Sequence, residues 1–316
     1  MTNSISNSFV DNLKSVLLPD RLYNIQHLPK EHGLNRILKI IYKPQDSHQA
    51  KVLWDAKFYG LNNSTLFQGL SELVQNQILQ DLTDHNLFVA YHVEVTGFFY
   101  CSKMILLSET VEEHSLYARM CADEAQHLNM VTPYLTSKIS QNTKGHKLLK
   151  LISEVIQDSN KEAMVFLTQV VLEGWGIPYY QDLKDNCLDE SFQQVLRNIL
   201  ADEAYHYSSG VVLFDEKNIK DLDLNYIGKM AAKLIQVLRI GAAANLKSAI
   251  EGRIKRELSQ EEIRLMLEET CAVETVLSRS SRIEKIVRSN SSDKLQSIIA
   301  KTGVFDSIKI DQLINL

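Results

Sequence analysis

Two windows of this chain repeat one another. Ala122-Asp123-Glu124-Ala125-Gln126-His127 and Ala201-Asp202-Glu203-Ala204-Tyr205-His206 share the pattern Ala-Asp-Glu-Ala-x-His, and each is preceded 30 residues upstream by a glutamate, Glu94 and Glu173. Within each window Glu and His are three apart, so on a helix they project from one face. The midpoints of the two 30-residue spans fall near positions 109 and 188. A turn at each midpoint makes each span an antiparallel helical hairpin, with both carboxylates about 15 residues, or roughly 20 Å, from the turn. The glutamates of a hairpin then lie level, and two such hairpins packed together bring four carboxylates and two imidazoles around one point.

The rest of the chain supports helices. Its five prolines leave 45–132 and everything after Pro178 proline-free, and long proline-free stretches rich in Leu, Ala, Glu, Lys and Gln favour helix. Expected helices are 64–82 with a break near Thr83, then 84–107, 109–135, 148–182 with an interruption allowed, and 191–214. Two more follow at 225–256 and 260–289, the last opened by a capping box at Ser259 and Glu262. Residues 1–60 read as short helices and loops, Thr136–His146 as a surface connection, and 290–316 as a weakly helical tail. The expected fold class is all-α, one domain over 1–316. A four-helix core occupies about 84–214, with an N-terminal helical extension 1–83 and C-terminal helices 215–316 that either cap the core or form a dimer surface.

Four carboxylates in an apolar interior need compensating charge. Two divalent cations match four carboxylates and two neutral imidazoles, and oxygen and imidazole donors without thiolates suit iron or manganese. The arrangement resembles the ferritin-like di-iron carboxylate proteins, whose bundles take one Glu from each of two helices and Glu-x-x-His from each of the other two. Over about 84–214 the resemblance implies a four-helix bundle with Glu94, Glu124, His127, Glu173, Glu203 and His206 as metal ligands. It implies two iron ions, or a manganese–iron pair, and dioxygen as co-substrate. It also implies that Asp123 and Asp202 hold the outer nitrogens of the histidines, each serving the opposite hairpin.

Helical spacing puts Tyr117 and Cys121 on the face of Glu124, Phe98 and Cys101 on that of Glu94, and Gln169 and Tyr207 at four-residue offsets from Glu173 and Glu203. A redox role, a pocket wall and a plain buried hydrogen bond are the competing readings of these side chains. In Glu173-Gly174-Trp175-Gly176-Ile177-Pro178, Pro178 cannot donate to the Gly174 carbonyl, so a kink or bulge is expected. Such a break would open a substrate pocket lined by Phe98, Tyr117, Gln169, Ile177 and Tyr207. An unbroken helix through 165–182 would remove it. The other seven histidines, His27, His32, His48, His85, His92, His114 and His146, are expected at the surface or in ordinary structural places.

The activity this implies is an oxygen-dependent oxidoreductase acting on a small-molecule or acyl substrate by hydroxylation, desaturation, N-oxidation or C–C cleavage. No flavin or nicotinamide fingerprint is present, so an external electron donor is expected. The alternatives are ferritin-like iron handling or peroxide detoxification without an organic substrate, and a bundle that holds metal only for structure. No one subfamily matches in full. The radical tyrosine of ribonucleotide reductase small subunits has Val131 in its place, the extra histidine of arylamine N-oxygenases has Ile199, and the rubredoxin module of rubrerythrins is missing. A net charge of −5 with no basic run argues against nucleic acid or an anionic membrane as partner. Four dispersed cysteines fit reduced thiols, so the expected compartment is the cytoplasm; a homodimer is one assembly the C-terminal helices allow.

Overall fold

A computed structural model describes Leu34, 51–135 and 146–314, and every regular element among these residues is helical. The readings of 1–50, including His27, His32 and His48, and of most of the 136–146 connection lie outside the described residues.

Helix α1 (Glu72–Leu107) runs 36 residues without a break. The break expected near Thr83 is absent because the threonine hydroxyl has a tertiary use. It accepts from the buried Leu53 N–H at 3.2 Å, so it does not compete for its own helix. The helix expected over 64–82 is instead the one-turn helix Thr65–Gln68, capped by Ser64, followed by the start of α1. Helix α2 (Val111–Val131) starts on the Thr110 side chain, which accepts from the Glu113 N–H. The α1–α2 turn therefore sits at the midpoint that the repeat required.

Helix α3 (Lys147–Asp158) ends where Ser159 and Asn160 follow. Both compete well for backbone groups and favour caps over helix interiors; Asn160 caps the next helix by accepting from the Ala163 N–H at 2.9 Å. Helix α4 opens as Lys161–Met164, widens into a π-helical segment Val165–Leu172, and continues as Glu173–Asp185 with Pro178 inside it. The kink expected at Gly174–Pro178 is therefore not where the helix departs from regularity; the wide turns lie upstream. Gly210 of helix α5 (Glu190–Leu213) makes room for them, since a Cβ there would stand 2.8 Å from the Gln169 Cβ. Helix α5 is capped by Asp189, which accepts from the Phe192 N–H at 2.9 Å, and the α4–α5 turn lies at the second required midpoint.

The hairpins α1–α2 and α4–α5 pack together through α2 against α5 and through the first turn of α4 against α1. Their shared interior is apolar, with Tyr100, Met104, Met120, Phe166, Val170, Phe192 and Ile199 all essentially inaccessible. Helix α6 (Asp221–Ile254) lies along α1, α3 and the π segment, so the C-terminal region covers the bundle. The single helix expected over 260–289 is two, α7 (Gln260–Glu269) and α8 (Ala272–Ser289), separated at Cys271, whose φ of 52° ends α-helical geometry. Ser259 and Glu262 form the expected capping box. The tail holds two short helices, Asp293–Ala300 and Ile310–Ile314. Leu313 and Ile314 join the start of α1, the end of α6 and α7 in a second apolar cluster. Buried Arg239 of α6 ties the tail down by donating to the Val304 and Asp306 carbonyls and the Ser280 hydroxyl. Among the described residues no helix is long and apolar enough to cross a membrane.

Candidate metal centre

Glu94 comes from α1, Glu124 and His127 from α2, Glu173 from α4, and Glu203 and His206 from α5, and all six are buried. Two overlapping groups arise: Glu94, Glu124, His127 and Glu203, and Glu124, Glu173 and His206, with the donor atoms of each group within 4.8 Å of one another. Glu124 belongs to both. Its carboxylate lies 3.5 Å from the Nδ1 of His127 on one side and 3.5 Å from the Nδ1 of His206 on the other. Glu203 is placed similarly, at 3.8 Å and 3.9 Å from the same two atoms. The two glutamates of the Glu-x-x-His windows thus lie between the imidazoles, with Glu94 in the group of His127 and Glu173 in that of His206. Gly97 permits this packing: a Cβ there would stand 2.6 Å from the Glu124 Oε1.

Both imidazoles turn Nδ1 inward and Nε2 outward, toward an aspartate of the opposite hairpin. His127 Nε2 is 3.1 Å from Asp202 Oδ2, and His206 Nε2 is 3.7 Å from Asp123 Oδ2. Asp123 is buried and bound by Arg119 on its own helix, at 2.7 Å and 3.1 Å. At Glu94 the Oε2 faces His127 Nδ1 at 2.8 Å, and the Oε1 accepts a hydrogen bond from the Tyr180 hydroxyl.

The electrostatics are those of a cluster that takes up positive charge, as protons or as cations. Burial pushes the Glu124 and Glu203 carboxyls well above the usual range. Burial acts on Glu94 in the same direction, but the adjacent His127 outweighs it and holds that carboxyl down. Burial opposes the charge on His127, and the surrounding carboxylates, Glu94 foremost, overcome this and raise it well above an ordinary histidine. The fit to metal has a second sign: both ring nitrogens of His206 are buried without a hydrogen-bond partner among the described residues. Unpaired imidazole nitrogens in a dry interior are costly, and a cation between His206 and the carboxylates would satisfy the inward one. The donor set of four carboxylates and two imidazoles suits two divalent ions of the iron or manganese type.

The remaining expected pocket residues fall in different places. Gln169 is a fully buried hub: its Oε1 accepts from the Tyr100 and Tyr117 hydroxyls at 2.8 Å and 3.2 Å, and its Nε2 donates to the Ser209 hydroxyl at 2.7 Å and the His206 carbonyl at 2.9 Å. Tyr117 and Gln169 therefore lock the four helices behind His206. Phe98 and Ile177 are half-buried. Tyr207 covers Gly174, and its hydroxyl accepts from the Asn290 amide at 3.0 Å. Cys121 is half-buried beside the Ser102 hydroxyl.

Sequence reasoning passed over Tyr180 and Arg119. Their signals were available: Tyr180 is seven residues past Glu173, two turns along one face, and Arg119 is four before Asp123. It also passed over the grouping of His85, His92 and His146 with Phe88, where His85 stacks on His146 at 5.8 Å and Phe88 meets His92 at 4.4 Å. His146 comes from a distant part of the chain, so no local pattern announced it. Comparison with known protein families, with curated proteins and with solved structures finds no match to this chain.

Proposed function

We propose that this chain is a ferritin-like di-iron oxygenase or oxidase. It would hold two iron ions through Glu94, Glu124, His127, Glu173, Glu203 and His206, and would oxidise a small organic or acyl substrate with dioxygen and electrons from an external donor. The observation that carries this reading is the sharing of Glu124 and Glu203 between the two imidazoles, which suits a pair of ions better than one. When bound, a ferrous pair with carboxylate-rich ligands supplies two electrons to dioxygen, which the donor must then restore.

The protein's own part follows from its contacts. Asp202 accepts from the Nε2–H of His127 and so fixes the tautomer that leaves the Nδ1 lone pair inward. Tyr180 donates to one oxygen of Glu94 and leaves the other facing the cluster. The apolar shell from Tyr100 to Phe192 keeps bulk water away. Gln169 holds the backbone of His206 in register with the other three helices.

The test is metal analysis of protein loaded anaerobically with ferrous iron, then exposed to oxygen. Two irons per chain, oxygen uptake and a new visible absorption are expected. Retention of two irons by a Glu203→Ala variant would sink the assignment. Mineral growth inside a hollow shell would move the protein to iron storage.

A further inference from the structure

A cleft of about 790 Å³ opens where the 57–63 segment, the Leu82–Asn86 turn of α1, the end of α4, the middle of α6 and the α7–α8 junction meet. Its size is that of a small-molecule site, roughly 300–1,000 Å³. Its lining includes the half-buried aromatic rings of Phe58, Tyr59 and Tyr179. Arg279 of α8 is half-buried and lines the cleft.

No hydrogen bond or ion pair holds the Arg279 guanidinium among the described residues. The acids that line the cleft are Asp182 and Glu274, against Lys57, Arg279 and Arg282. Asp182 is already paired with Arg282, at 3.1 Å, and Glu274 is exposed to solvent. Burial depresses Arg279, with Tyr179 and Asp182 acting the other way and Arg282 adding to the depression, and an arginine stays protonated in proteins. The neighbouring His85 adds no charge, since burial and His146 push it down to about 4. Tyr179 stays a neutral phenol, because burial raises it. An arginine that faces a cleft without an ion-pair partner offers its fork of donors, and a planar oxyanion answers a guanidinium with two parallel hydrogen bonds.

We propose that this cleft binds a small organic oxyanion, a carboxylate or phosphate ester, with Arg279 gripping its charged end and the rings of Phe58, Tyr59 and Tyr179 covering the rest. The site stands apart from the six metal-binding side chains, so it does not depend on which ions the bundle holds.

The chain carries its own reporters. Its two tryptophans both adjoin the cleft wall: Trp175 stacks on Tyr179 with centroids 4.7 Å apart, and the Trp54 Nε1 donates to the Leu183 carbonyl at 2.8 Å. The full chain is titrated with phenylacetate, with the neutral phenylacetamide and with inorganic phosphate, following tryptophan emission. A saturable change with phenylacetate or phosphate is expected, at least tenfold weaker for the amide. Arg279→Gln should weaken anion binding at least tenfold, whereas Arg288→Gln, on the same helix but outside the cleft and paired with Glu284 at 2.7 Å, should change it by less than threefold. If Arg279→Gln does not fold, phenylglyoxal labelling of the wild-type protein gives the same answer: Arg279 should be modified, and phenylacetate or phosphate should protect it. Glu203→Ala protein should bind the anion unchanged, which separates this site from the metal assignment. No saturable response to either anion, equal binding of acid and amide, or unprotected labelling at Arg279 would overturn the proposal.

Discussion

The two hairpins carry the same words and finish them differently. In the first, Glu94 is held by Tyr180 and His127, and His127 is held by Asp202 at 3.1 Å. In the second, His206 has no hydrogen-bonded partner at either nitrogen among the described residues, and its aspartate, 3.7 Å away, is occupied by Arg119. The helix before Glu94 is regular, whereas the one before Glu173 is π-helical and needs Gly210 opposite it. The corresponding place in the first hairpin is filled by Val131, and Arg119 has Asn198 as its counterpart. A shared motif sets where the backbone puts a ligand. The neighbours decide whether that ligand is already fixed or waits for a cation to fix it. For the proposed pair of ions, the half-site around His127 is the pre-organised one, and the half-site around His206 is the looser one.

The largest effect should come from the carboxylate common to both halves. Glu124→Ala should abolish binding of both irons, measured by metal analysis after anaerobic loading. If it lost one ion and kept the other, the half-sites would be independent and the shared-carboxylate picture would fail. Removing both ions of the proposed pair with a chelator should lower the melting temperature by about 16 °C. Each ion at about 1,000 times its Kd contributes about 4 kcal/mol, and a domain of this size shifts by roughly 2 °C per kcal/mol.

Next comes a matched pair of glycines, each three residues after its lone glutamate. A Cβ at Gly97 would collide with Glu124, whereas one at Gly176 meets nothing within 4 Å. Gly97→Ala should displace the Glu124 carboxylate and cut iron binding at least tenfold. Gly176→Ala should leave it intact and stabilise the helix by about 0.5–1 kcal/mol in chemical denaturation. Equal behaviour of the two variants would erase the asymmetry.

Gly210→Ala should cost about 1–3 kcal/mol, the usual range for overpacking a filled core, because Gln169 cannot retreat without leaving Tyr100, Tyr117 and Ser209. Hydrogen exchange should localise the loosening to 165–172. The smallest effect concerns Arg119→Gln, which frees Asp123 to approach His206. Stepwise iron titration should then show the weaker ion binding a few-fold more tightly while the stronger one is unmoved. A change confined to the stronger ion would reverse the ranking of the half-sites.

Much of this could be read from the residues in order. Helical spacing of Glu124 with His127 and Glu203 with His206, and the equal distance back to Glu94 and Glu173, already demanded two hairpins with turns near 109 and 188. Ser259 and Glu262 announced a cap. What misled was local chemistry with a distant use. Thr83 looks like a breaker until Leu53 reaches its hydroxyl, and Gly174 to Pro178 looks like a kink, yet the irregular turns lie upstream against Gly210. Cys271 carries no signal of the left-handed turn it takes between α7 and α8.

What the amino-acid order determined alone is therefore periodic: which faces carry the carboxylates, at what depth, and how the chain must double back to align them. Those properties follow from the constant rise and rotation of a helix, which act between near neighbours. Tertiary contact decided the rest: that Tyr180 rather than water meets Glu94, that Arg119 draws Asp123 from His206, and that Arg279 is left facing a cleft without a partner. Each depends on which side chain arrives from a remote part of the chain, and helical periodicity carries no information about that.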